Sequence, residues 1–201
     1  MKTIHIFLIL AIILLSSCAS GVKSESVPTE SIHADFGIHE IVLNNELSAS
    51  LVDSLKANKI LLNEEAHQVI VGYQLATEAK GETLNISGNN IKLIRSSFLV
   101  GDTDKYYLII AVKQPAGMSN VDIQSTRARK QNVEIRFTVK GAVKWAEMTK
   151  KNTGKQLAFV INNQVYSMPE VKAEINEGIA MITGLSDEAL AKSIAEALNA
   201  K

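Results

Sequence analysis

Thiols are almost missing from this 201-residue sequence, which has one cysteine, Cys18. A single cysteine excludes an internal disulfide and a multi-cysteine metal site. Any fold must then be held by packing, which a chain of this length can supply. An excess of charge of either sign is missing too: 21 basic residues balance 21 acidic ones. Phosphate binding along a nucleic acid needs a clustered basic surplus, so a nucleic-acid partner is not expected. No stretch reaches the roughly 20 apolar residues that span a bilayer. Catalytic signatures are equally scarce. No serine lies in a nucleophile-elbow pattern, no two carboxylates are spaced convincingly for glycoside chemistry, and beyond the leader the only histidines are His33, His39 and His67.

What is present begins at the start. Lys2 precedes Ile4 to Leu15, an apolar run broken only by His5. This is the charged start and apolar middle of a secretory signal, too short for a membrane span. Leu15-Ser16-Ser17-Cys18 closes it and resembles the lipobox of bacterial lipoproteins. The resemblance implies cleavage between Ser17 and Cys18, with acyl chains such as palmitate on the Cys18 thiol. Several acyl chains on one cysteine anchor a protein firmly to a membrane. Ala19, in place of aspartate after the cysteine, resembles lipoproteins sent to the outer membrane, with the chain facing the periplasm. Residues 1–17 are therefore expected to be a signal peptide. Residues 18–35, rich in Ser, Gly, Thr and Pro without apolar period, are expected to be a flexible tether. His33 and His39 flank the start of order with no third ligand nearby, and are expected to be solvated.

Residues 36–114 are expected to form a β-rich α+β unit. Ile38 to Leu43 predicts a strand. Leu47, Leu51 and Leu55 at four-residue spacing predict a short helix, with Asn58 suited to its C-cap. Val69, Val71, Tyr73 and Leu75 alternate, predicting a strand with all four on one face. Ala79 to Glu82 is a turn signal. Thr83 to Ile86 and Ile91 to Ile94 flank Ser87-Gly88-Asn89-Asn90, and Phe98 to Val100 and Tyr106 to Val112 flank Gly101 to Asp104, giving two hairpins. Glu64, Glu65 and His67 form the one tight polar cluster of this stretch and are expected in a solvated loop, since adjacent carboxylates point to different faces of most elements.

Gln114 to about Asn132 is expected to be a connection, locally basic at Arg127, Arg129 and Lys130, with a solvated loop as the plainer reading and a phosphate or lipid-headgroup contact as the alternative. Residues 118–201 are expected to form a second α+β unit, an antiparallel sheet with two helices on one face. Val133, Ile135 and Phe137 alternate with polar residues, as in a half-buried strand. Thr138 caps a helix to about Asn152, with Val139, Ala142, Val143, Ala146 and Thr149 facing the core, Trp145 beside them and Gly154 ending it. Leu157 to Ile161, apolar throughout, predicts a strand covered on both sides. Asn162-Asn163 predicts a tight turn, and Gln164 to Met168 a return strand whose edge could pair with another copy. Ile179 to Thr183 predicts a further strand. Ser186 is the expected cap of a last helix with Leu190, Ile194, Ala197 and Leu198 inward.

This second unit resembles the head subdomain in the first periplasmic domain of the SecD and SecDF protein-export subunits, from about Asn120 to Ala200. The resemblance is carried by Val133 to Thr138, Gly141-Ala142, Trp145-Ala146, Thr149, Asn152, Gly154-Lys155, Leu157 to Ile161, Val165, Ser167, Pro169, Ile175, Gly178 and Ile182-Thr183-Gly184. Val121-Asp122-Ile123 and Ala128 fit the approach. The departures are Glu177 where a glycine is usual, Trp145 for a phenylalanine, and one residue fewer between Gly184 and Leu185. No counterpart of the family's proton-conducting membrane helices is seen, so a motor role is not expected. The resemblance implies a non-enzymatic unit without cofactors that contacts exported polypeptides or envelope proteins. Met118, Met148, Met168 and Met181 are candidate lining for a pliable binding surface, with core filling as the plainer role. A self-associating envelope lipoprotein and an envelope hydrolase are the alternatives.

Overall fold

The computed structural model describes residues 33–81 and 83–200. The expected signal peptide, Ser17, Cys18 and most of the tether lie outside these residues. In chain order the elements are β1 (Phe36–Val42), α1 (Ala49–Ala57), β2 (Leu61–Leu62), β3 (Ile70–Leu75), β4 (Ile86–Gly88), β5 (Ile91–Val100), β6 (Tyr106–Lys113) and β7 (Met118–Ser119). They continue with β8 (Ile123–Arg129), β9 (Asn132–Phe137), α2 (Val139–Lys151), β10 (Leu157–Ile161), β11 (Gln164–Ser167), β12 (Ile179–Ile182) and α3 (Glu188–Asn199). The fold is α+β with mostly antiparallel pairing.

Among the described residues the strands form two sheets. Nine strands make the larger one, and part of it closes on itself: β6 pairs with β1, β1 with β10, β10 with β11, β11 with β5, and β5 with β6. The inside of this ring is packed with Ile94, Leu108, Ile110, Val112, Ala158, Val160 and Val165. Alternate residues of the same strands face outward onto two other cores. Leu93, Ile109 and Ala111 meet α1 through Leu51 and Leu55. Phe36, Ile38, Leu157, Phe159 and Ile161 meet α2, α3 and the smaller sheet. That double duty is why Leu157–Ile161 is apolar and buried at every position, as the sequence predicts. Burying one such large side chain is worth roughly 1.5–3 kcal/mol.

The smaller sheet, ordered β12-β9-β8, is antiparallel throughout. Val133, Ile135 and Phe137 turn inward, and α2 and α3 both pack on that face, while Glu134 and Arg136 stay outside. Strands expected in one sheet thus divide: β9 and β12 join β8, and β10 and β11 join the ring.

Several expectations are corrected. The connection Gln114 to Asn132 contains β7 and β8; β8 escapes detection because an edge strand with one solvent face needs few apolar residues, here Ile123 and Ala128 with Thr126. The Gln164–Met168 edge is not free: β11 pairs in parallel with β5, Gln164 opposite Arg95 and Val165 opposite Ser96. The face of α2 is rotated, with Gly141, Trp145, Met148 and Thr149 buried and Val139 and Val143 exposed. Val71 and Tyr73 do not share a face, because the ladder with β6 slips between Ile70 and Gly72 and sends Val71 to the α1 core and Tyr73 to the ring. Asp187, not Ser186, caps α3, accepting from the Leu190 N–H at 2.8 Å. Other local readings hold. Asn58 and Thr138 stand at the expected caps, and Asn162 and Asn163 both take positive φ.

Candidate functional site: an apolar groove along an open strand edge

One of the two edges of the smaller sheet is the outer edge of β12. Gly178, just before it, has φ +64° and lies against Ala142, whose Cβ would sit 2.6 Å from a Cβ at this position. Only glycine fits that entry, so the strand starts tight against α2. The Phe137 N–H donates to the Gly178 carbonyl at 3.0 Å. Since Gly178 lies opposite Phe137, alternation along an antiparallel ladder directs the backbone groups of Ala180 and Ile182 toward β9. Those of Ile179 and Met181 then point away from it. One of them is occupied: Trp145 Nε1 donates to the Ile179 carbonyl at 3.1 Å. The N–H and C=O of Met181 face the open side.

Beside this edge runs a groove of about 450 Å³. Trp145, Leu157 and Phe159 form its floor, Pro169, Val171 and Ile175 one wall, and Ile179 and Met181 the other. The floor is an aromatic cluster, with Trp145 packed at 5.6 Å from the Phe137 ring and edge-on to Phe159 at 6.3 Å. The far wall is pinned by backbone bonds, Gly154 N–H to the Val171 carbonyl at 2.8 Å and Val171 N–H to the Lys155 carbonyl at 2.9 Å. The Ile175 N–H donates to Thr149 Oγ1 at 3.0 Å. At the rim Lys172 pairs with Glu170. An apolar trough beside unpaired backbone suits an extended chain, whose main chain would add to the edge and whose alternate side chains would enter the trough.

The other predicted candidates are scattered. Glu64, Glu65 and His67 are exposed, as expected for a loop. His33 is exposed, and its Nδ1 donates to the Ala200 carbonyl at 2.9 Å. His39 is not solvated: it is 6 % exposed, with Nδ1 donating to the Lys113 carbonyl at 2.9 Å. Burial lowers its pKa, opposed in part by that bond. Its place in the middle of β1, between Ile38 and Glu40, is the signal that points to order and not to a solvated approach. His39 shares a small cavity with Asp35 and Ser119, and no hydrogen bond among the described residues joins it to either. No group of three or more histidine, cysteine or acidic residues among the described residues could hold a metal, and no described helix is long and apolar enough to cross a membrane. Met118 and Met148 are core, Met168 is half-buried, and Met181, 39 % exposed, lines the groove.

Two polar features carry no sequence signal. Glu40 of β1 binds Lys113 at 2.9 Å and Lys151 at 2.5 Å, tying β6 and the end of α2 to β1. Burial alone would raise its carboxyl, but the two lysines hold it at about 2. Arg95, 3 % exposed, donates from Nε to Gln74 Oε1 at 2.7 Å and from Nη1 to the Gly81 carbonyl at 2.9 Å, over the Tyr107 ring. Burial lowers its pKa.

The fold and groove define an α+β unit that offers a strand edge and an apolar trough. The family model described as SecDF, P1 head subdomain, matches residues 96–201, and the chain belongs to that family. The match begins well before Asn120, within β5. Among similar proteins, the protein translocase subunit SecDF of Thermus thermophilus is 36 % identical over 86 residues, 40 % of this chain and 12 % of that protein. The protein translocase subunit SecD of Sebaldella termitidis is 25 % identical over 155 residues, 77 % of this chain and 37 % of that protein. The chain thus spans well under half the length of these relatives. A solved structure described as a membrane component SecDF that enhances protein export aligns over 85 % of this chain and 64 % of that one, with 22 % identity and a TM-score of 0.48.

Proposed function

We propose that this chain is a lipoprotein held at a membrane outside the cytoplasm through acylated Cys18, and that its head unit binds extended polypeptide in the groove along β12. The role is non-enzymatic contact with exported chains or with envelope proteins during assembly. The observation that carries it is the outward-facing backbone of Met181 beside a groove walled almost entirely by apolar side chains. Membership of the SecDF head family, whose relatives are protein translocase subunits, supports a polypeptide as the occupant. The lipobox at residues 15–18 supports the anchor, and Ala19 supports an outer-membrane address with the fold in the periplasm.

A photo-crosslinking residue at Met181, with a second at the exposed Val121 as a control, tests the binding role in cells. Capture at position 181, and not at 121, of proteins that carry export leaders supports it. Equal capture at both positions contradicts it. Intact mass of the native protein tests the anchor, which requires loss of residues 1–17 and acyl mass on Cys18.

A further inference from the structure

The outer face of the smaller sheet is cationic. Register places Ser125 opposite Arg136, Arg127 opposite Glu134, and Arg129 opposite Asn132, with Glu134 in turn opposite Met181 of β12. These residues lie on the side away from Val133, Ile135 and Phe137, so they share the solvent face. Glu134 is the only carboxylate in the three strands, and Arg129 at 3.2 Å and Arg136 at 3.0 Å both bind it. Three arginines against one carboxylate leave a surplus of two positive charges, and among the described residues Arg127 has no carboxylate within ion-pair distance. A chain of zero net charge has therefore gathered an excess on one exposed face.

The position of this face relative to the chain's entry gives the surplus a partner. The described chain begins at His33, bonded to the Ala200 carbonyl, and the Ala34 N–H donates to the Ala197 carbonyl at 3.3 Å. The end of α3 that receives it is clamped to β8: Asn199 Oδ1 accepts from the Thr126 N–H at 2.8 Å, and its Nδ2 donates to the Thr126 carbonyl at 2.9 Å. The chain thus enters the fold beside Thr126, one residue from Arg127. Fifteen peptide links separate Cys18 from His33, a reach of at most about 50 Å.

The geometry points to the Arg127, Arg129 and Arg136 face as a docking surface for the anionic headgroups of the membrane that holds Cys18. Docked so, the β8 side of the sheet lies at the bilayer. The domain is then held in one orientation instead of turning freely on its tether. The inference takes the membrane from the lipid-anchor reading, but the charge on this face is independent of it.

Vesicles separate the two. Residues 31–201 form a compact unit of their own and carry no thiol, so their binding reports on the face alone. Co-sedimentation with phosphatidylglycerol-containing vesicles is expected, with little on phosphatidylcholine. The binding should be lost as the Debye length falls from about 10 Å to about 3 Å. Arg127→Gln should weaken it about fivefold, the worth of one basic residue near an anionic surface, and Glu134→Gln should strengthen it. Circular dichroism of both variants guards against misfolding. Equal binding to both vesicle types, or Arg127→Gln and Arg136→Gln variants that bind like the parent, overturns the inference. Salt-sensitive binding by this unit together with an unacylated Cys18 in the native protein would overturn the anchor and leave the face standing.

Discussion

Trp145 of α2 donates its indole N–H to the carbonyl of Ile179 at 3.1 Å, across from the ladder that joins β12 to β9. The bond fixes the strand edge to the groove floor. It also fills one of the outward-facing acceptors, so that an incoming chain meets Met181 first. Trp145→Phe should keep the ring packing and lose about 1 kcal/mol of stability in urea unfolding, whereas Trp145→Ala should lose about 3–5 kcal/mol. A Trp145→Phe variant as stable as the parent would remove the bond from this account.

Glu40 gives an acid-sensitive joint. Its carboxyl is held at about 2, below the usual 4.5, despite the burial that opposes this. A depressed carboxylate contributes stability that is complete above pH 4.5 and is lost as pH falls from there toward 2. Both lysine partners are largely solvated, so the contribution at neutral pH is no more than about 1 kcal/mol. Glu40→Gln should flatten the stability profile in that acid window, measured by urea midpoints across pH.

His39 acts in a higher window. Burial lowers its pKa below 6.5, with the Lys113 carbonyl bond opposing. The unfolded chain then binds the proton more readily than the folded one, so stability is complete above about pH 6.5 and declines as pH falls below it. NMR titration should show the His39 ring changing charge below pH 6.5. A His39 resonance titrating at or above 6.5 would contradict the buried placement.

Gly141 tests which of two opposed effects governs α2. Alanine would favour the helix by about 1 kcal/mol. Its Cβ would lie 2.6 Å from the Asp122 carbonyl oxygen and 3.1 Å from the Phe137 Cβ, neither on a flexible side-chain tip. Overpacking costs typically 1–3 kcal/mol, so Gly141→Ala should be destabilising on balance in thermal unfolding.

The sequence shows its fold most clearly where one physical signal acts alone. Leu157–Ile161 is apolar because both its faces are buried, and Asn162-Asn163 turns because asparagine tolerates positive φ. Thr138 caps α2 through a local bond to the Gly141 N–H. Legibility fails where tertiary contacts choose between local options. Val139 and Val143 have the spacing of a core stripe, yet Trp145 and Met148 fill the space and leave them outside. The parallel partner of β11 lies some seventy residues away, so no local pattern announces it. The groove is likewise assembled from α2, β10, β12 and the 169–175 segment. The head resemblance places those residues in one unit. The open edge of Met181 follows only from the register with β9.

The Met181 edge is tested most directly by a proline. The Met181 N–H points away from β9, so Met181→Pro removes a donor from the open edge without breaking the ladder, as edge prolines do. Trp145, the only tryptophan, lies on the groove floor and reports on occupancy by fluorescence. Titration with an extended apolar peptide should shift the emission of the parent and saturate. The Met181→Pro protein, folded by circular dichroism, should bind at least tenfold more weakly, about 1.4 kcal/mol for a lost backbone bond. Equal affinity of the two proteins, or no response of Trp145 to any extended peptide, would contradict the account.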